Sequence, residues 1–143
     1  MQNPYQTLEK NEVMALGNSL REIKTQLVKQ PSQTGIRRVW YQGEEPYFDI
    51  IFELEEEEIT WFEFTLRGKS ASWDRRKKVW QTGMTNELQM HDVSFYAASK
   101  TIETDKLIDV EFLAVVKSIL QTRSQEPIFA QVLQLLPVLP AEG

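Results

Sequence analysis

The chain is predicted to be an α+β fold, with a helix leading into an antiparallel meander and two helices closing it. Three observations predict this. Between Pro46 and Gly68, two runs of alternating large apolar residues flank an acidic turn. Before residue 30, apolar residues step by three and four. After residue 108, two further apolar stripes recur at helical spacing.

The N-terminal helix is expected over about residues 8–30. Val13, Leu16, Leu20, Ile23 and Leu27 fall on one stripe, and Pro31 begins the breaker-rich run Pro-Ser-Gln-Thr-Gly. Packing on the protein's own sheet is favoured over a partner coiled coil, because little more than two heptads are present.

The meander is expected over about residues 36–83, with about five strands. Ile36–Gln42 reads as the first strand and Gly43–Pro46 as its turn. The second strand puts Phe48, Ile50, Phe52 and Leu54 on one face, and Tyr47, Asp49, Ile51 and Glu53 on the other. The third puts Phe62, Phe64 and Leu66 opposite Trp61, Glu63, Thr65 and Arg67. A regular four-residue loop, Glu55–Glu58, would pair Ile50 with Glu63 and bring a charge among core residues. An odd loop or a bulge pairs Phe52 with Phe62 and Ile50 with Phe64, keeping one face apolar. A shorter hairpin follows: Ser70–Trp73, a turn over Asp74–Lys78, then Val79–Thr82, with Gly83 ending it.

Residues 84–108 are irregular. The part up to residue 103 shows no clean period, holds the only histidine, His91, and has room for one more short strand or a helical turn. Asp109 reads as an N-cap for a helix over about 109–122, whose apolar face is Phe112, Leu113, Val116, Ile119 and Leu120. Glu126-Pro127 starts a second helix over about 126–136, with Ile128, Phe129, Val132, Leu133 and Leu136 buried and Pro137 stopping it. Both are expected to pack on the sheet, and residues 1–143 are read as one domain.

The totals bound the function. The chain has 143 residues, 41% hydrophobic and 26% charged, with a net charge of −5. That balance is ordinary for a folded domain and disfavours wholesale binding to nucleic acid or anionic membranes. The absence of cysteine excludes disulfides, thiolate metal sites and thiol catalysis, and suits a reducing cytoplasm, which is the expected location. The first ten residues lack the pattern of a signal peptide, and no apolar run approaches the ~20 residues that span a bilayer.

Each candidate site competes with a structural reading. Arg75, Arg76, Lys77 and Lys78, next to Trp73 and Trp80, could meet phosphates while the indoles stack on bases. In an up-and-down meander, however, that turn lies beside the Glu55–Glu58 turn, and the two should screen one another. The other end carries the same complement, Glu44 and Glu45 against Arg67 and Lys69. Consecutive glutamates lack the spacing and the glycine of a calcium loop. His91-Asp92 with Ser94 or Ser99 has no glycine-framed elbow. Asp49 and Glu63 share a face and could serve as an acid–base pair, with His91 or Tyr96 converging on them. No metal site, cofactor or catalytic residue is expected from these patterns.

What remains is the sheet's second face. Tyr47, Ile51, Trp61, Glu63, Arg67 and Trp73 interleave aromatic, aliphatic and charged side chains, a composition closer to a protein interface than to an inert surface. The expectation is a non-enzymatic interaction module (adaptor, chaperone-like, immunity-type or regulatory) whose partner is another protein or a second copy of itself, bound on this face or a sheet edge. A small-substrate enzyme using the open-face carboxylates and nucleic-acid binding through residues 75–78 are the alternatives. The competing account of the aromatics is that a C-terminal helix or residues 84–103 cover them. By architecture alone, an acidic small domain with a helix, a meander and C-terminal helices resembles the secretion-chaperone type of fold, a likeness that carries no site.

Overall fold

A computed structural model describes residues 9–23, 36–85 and 102–137. Helix α1 (Lys10–Ser19) leads to a seven-stranded antiparallel sheet in plain sequential order. The strands are β1 (Arg21–Glu22), β2 (Ile36–Gln42), β3 (Asp49–Glu55), β4 (Glu58–Leu66), β5 (Lys69–Asp74), β6 (Val79–Thr85) and β7 (Ile102–Thr104). Helices α2 (Val110–Gln121) and α3 (Pro127–Leu135) complete the α+β architecture and pack on one face of the sheet.

The β3–β4 hairpin sets the core. Phe52 pairs with Phe62 and Ile50 with Phe64, the register that keeps one face apolar. Its geometry combines the two loop solutions. Glu56 and Glu57 form a two-residue turn with φ of 53° and 68°, so Leu54 pairs with Ile59. Positive φ at both central positions marks the primed turn whose twist suits a hairpin. A bulge then leaves Thr60 as the extra residue, and Glu53 pairs with Trp61. The Thr60 hydroxyl donates to the Glu53 carbonyl at 3.1 Å, tying the bulge down.

Six phenylalanines (48, 52, 62, 64, 112 and 129) have no exposed surface and meet largely edge to face. Their burial is the dominant stabilising term. Asp109 caps α2 as expected, its carboxylate accepting from the Phe112 amide. Helix α3 is fastened to the sheet at its middle and at its C-terminal end. Gln131 accepts from the Ile59 amide at 2.8 Å and donates to the Glu57 carbonyl, and the Trp80 indole donates to the Leu135 carbonyl.

Several expectations need correction. Helix α1 ends at Ser19, well before residue 30, because Gly17-Asn18-Ser19 is a run of poor helix formers. Leu20 is buried in extended backbone, and the Ile23 amide bonds the Trp40 carbonyl beside β2. Leu27 and the Pro31 loop lie outside the described residues, as does the tail from Val138. Gly83 does not end the second hairpin. β6 continues through it to Thr85, and β7, a short strand that begins at the end of the stretch with room for one, pairs with that extension. The turn before β3 runs on to Phe48, which is buried outside any strand with its carbonyl accepting from the Gly43 amide.

Candidate functional site

The register places every open-face side chain. Nearest the glutamate turn, Arg38, Glu53, Trp61, Asp74 and Val79 lie side by side across five strands. The middle row is Trp40, Ile51, Glu63, Ser72 and Gln81, and the next is Gln42, Asp49, Thr65, Ser70 and Gly83. Trp40, Ile51, Trp61 and Glu63 are each half-buried. The Trp40 indole and the Gln42 amide both donate to Asp49 Oδ1, at 3.1 and 3.3 Å. Arg38 pairs with Glu53 at 3.0 Å. Tyr47 sits at the rim with φ of 62°, exposed, its carbonyl accepting from the Thr65 hydroxyl.

Three of the six residues expected at this face, Ile51, Trp61 and Glu63, are brought together there by the register; Tyr47 lies in the turn before β3, and Trp73 and Arg67 are placed elsewhere. Trp73 pairs with Phe62 and is 9% exposed within the core, so it faces the helices. The parity of β5 follows from its tight turn: Leu66 opposes Lys69, which puts Ala71 and Trp73 on the Leu66 side. Arg67 is not on a strand face. With φ of 53° it forms the β4–β5 turn with Gly68, and its guanidinium grips both oxygens of Glu45 and reaches Glu12 of α1. The Glu45 carboxyl is held low by that guanidinium. Sequence reasoning missed Trp40. Its face depends on the β2–β3 register, which a longer turn than expected conceals.

Among the described residues one ion pair, Arg75 with Glu55 at 3.3 Å, joins the basic turn to the glutamate turn. Arg76 lies 3.8 Å from Asp74, and Arg37 grips Glu57 with two nitrogens. Lys77 and Lys78 are exposed at the tip. Trp80, like Trp73, turns toward the helices, its ring 5.7 Å from that of Phe62, so neither indole is available to stack on a base. At the opposite end Lys69 pairs with Asp109 at 2.6 Å.

Asp49 and Glu63 stand on a diagonal of the β3–β4 pair, about 7–8 Å apart by the geometry of such neighbours. His91, Asp92, Ser94, Tyr96 and Ser99 lie outside the described residues. Among the described residues no group of three or more acids or histidines is placed to hold a metal ion, and no helix is long and apolar enough to cross a membrane.

Two part-buried polar networks on the helix side carried no sequence signal, since each joins distant segments. In one, Arg123 donates to Glu126 at 2.6 Å and to the carbonyls of Gly17 and Leu20 at 2.8 and 2.9 Å, with its guanidinium over the Tyr41 and Phe129 rings. The Tyr41 hydroxyl donates to Glu126, and burial followed by the nearby carboxylate pushes it up to about 12. In the other, the Thr82 hydroxyl donates to Asp105 and accepts from the Asp109 amide, both at 2.8 Å. Every group described in the two networks has its partner, which marks them as structural.

No protein-family model, curated protein or solved structure matches the chain. The secretion-chaperone likeness therefore gains no support.

Proposed function

We propose that the chain is a non-enzymatic cytoplasmic protein-interaction module that takes another protein, or a second copy of itself, on the open face of its sheet. The observation that carries this reading is the pair of half-buried indoles, Trp40 and Trp61, set around Ile51 in the centre of a five-strand face. Tryptophan is the residue type most enriched among energetic anchors of interfaces. The three helices contribute their buried residues to the core on the opposite side. Helices α2 and α3 pack on the phenylalanine face, while residues 86–101, the other segment expected to cover the aromatics, lie outside the described residues. An acid–base role for Asp49 and Glu63 has less behind it, since Asp49 Oδ1 already receives two side-chain donors.

Trp61→Ser tests the reading. Protein recovered on the wild-type chain from the native cytoplasm should be lost on the variant, while the unfolding free energy from urea titration changes by no more than the ~0.5 kcal/mol typical of surface positions. Unchanged recovery, or a collapse of stability, would remove the open face as the binding surface.

A further inference from the structure

We propose that Asp49 is a positioning residue of the open face: it clamps the Trp40 indole in one pose, so that the free chain already presents Trp40 as a fixed ring with its one donor engaged. The use of that ring in binding rests on the open-face reading; the clamp itself stands in the free molecule.

The clamp follows from the register. Trp40 pairs with Ile51 and Gln42 with Asp49, so Trp40 and Asp49 stand on one face as diagonal neighbours. Diagonal positions of an antiparallel pair are about 7–8 Å apart, within reach of an aromatic side chain. Trp40 closes that gap, its indole donating to Asp49 Oδ1 at 3.1 Å. The Gln42 amide donates to the same oxygen at 3.3 Å. Two donors from β2 on one oxygen of β3 fix the carboxylate as well as the ring.

Asp49 is itself set by the turn before it. The Gly43 amide donates to the Phe48 carbonyl at 3.0 Å, and the Thr65 hydroxyl donates to the Tyr47 carbonyl at 3.3 Å. Phe48 has no exposed surface, which anchors the residue next to Asp49 in the core. The turn therefore ends on a pinned residue, and β3 begins in a fixed place.

The chemistry of the indole then decides what Trp40 can offer. It has one donor and no acceptor. With that donor engaged inside the face, Trp40 gives a partner ring contact alone. A carboxylate acceptor makes the internal bond stronger than a neutral one would. A side chain immobilised before binding need not be ordered during it, a gain of about twofold to tenfold in affinity for one side chain.

Heteronuclear NMR of the indole N–H groups in the free chain tests the clamp, with the Trp40 signal assigned by its loss in Trp40→Phe. Asp49→Ala should speed exchange of the Trp40 indole proton with water at least about tenfold, as expected for loss of a hydrogen bond to a charged group. Asp49→Asn keeps an acceptor oxygen in the same place and should hold the rate within about threefold of wild type. The Trp80 indole, bonded to the Leu135 carbonyl on the other side of the sheet, should keep its rate in both variants and so reports an intact fold. Asp49→Leu, near-isosteric and without an acceptor, replaces Asp49→Ala if Trp80 is disturbed. An unchanged Trp40 rate would overturn the clamp. For binding, the protein recovered on the wild-type chain is purified and titrated onto the variants. Asp49→Ala should weaken it about twofold to tenfold and Asp49→Asn by less. In a Trp40→Phe background Asp49→Ala should add nothing, because the carboxylate acts through that ring. No loss, or an equal loss with and without the Trp40 indole, would overturn the positioning role. Trp61→Ser bears on the open-face reading alone: binding like wild type in that variant removes the reading, whatever the Trp40 signal shows.

Discussion

At the scale of single residues, the Thr82 hydroxyl is tightly constrained. It is 3% exposed, donates to Asp105 and accepts from the Asp109 amide, so it joins the end of β7 to the start of α2. Replacing it with near-isosteric valine keeps the shape and orphans both partners. Thr82→Val is expected to cost about 1–3 kcal/mol in urea unfolding at unchanged slope, where a surface threonine in a strand would lose almost nothing. Nothing local in the sequence distinguishes Thr82 from Thr60 or Thr85. Its importance comes from residues more than twenty positions away. Arg123 was invisible for the same reason, since its acceptors on α1 lie 106 and 103 residues back along the chain.

At the scale of elements, legibility followed the size of the side chains and the tightness of the turns. The inner faces of β3 and β4 could be read because large apolar residues alternate without interruption and a one-residue slip would bury Glu63. The two C-terminal helices could be read from Asp109, Pro127 and their broad apolar stripes. α1 was overextended because Leu20 and Ile23 keep helical spacing although their backbone has already become extended. Trp73 belongs to the inner face because the two-residue turn after Leu66 sets the parity of β5, a register that no large alternating run in Ser70–Trp73 announces. The glutamate turn carries the clearest local conflict. Glu56 and Glu57 both occupy left-handed backbone, which costs a non-glycine residue roughly 1 kcal/mol or more. Replacing them by Asn-Gly, the pair such turns prefer, is expected to raise stability by about 1 kcal/mol net in chemical denaturation. The lost Arg37–Glu57 pair, both side chains more than half exposed, offsets little of that gain.

At the scale of the whole molecule, charge is arranged at the ends of the sheet. Arg37, Arg75 and the glutamates occupy one end; Arg67, Glu45, Lys69 and Asp109 the other. The Arg67 guanidinium holds the Glu45 carboxyl below its ordinary value of 4.5. Burial pushes Asp109 up, yet the Lys69 ammonium and the Phe112 amide outweigh it and hold the group below 3.8. For both carboxyls the folded pKa is depressed, so their contribution is complete above the ordinary value and is lost as pH falls through the folded one. Stability is therefore expected to decline in the acid range below about pH 4.5. Arg67→Leu together with Asp109→Asn should be less stable at neutral pH and show a flatter acid limb in urea midpoints measured across that range.

The bulge at Thr60 bears on how this chain tolerates lost residues. Removing one amino acid from a strand ordinarily exchanges its wet and dry sides from that point onward. Here the pairs on the turn side, Leu54 with Ile59, and those beyond, Glu53 with Trp61, differ by the single residue between them. Excising Thr60 would merge the two registers into one continuous ladder, with Phe62 still against Phe52 and Trp61 still facing outward. Within β4 it is the position where a one-codon deletion leaves every neighbour on its own side, and excising Trp61 or Phe62 instead would turn the rest of the strand over.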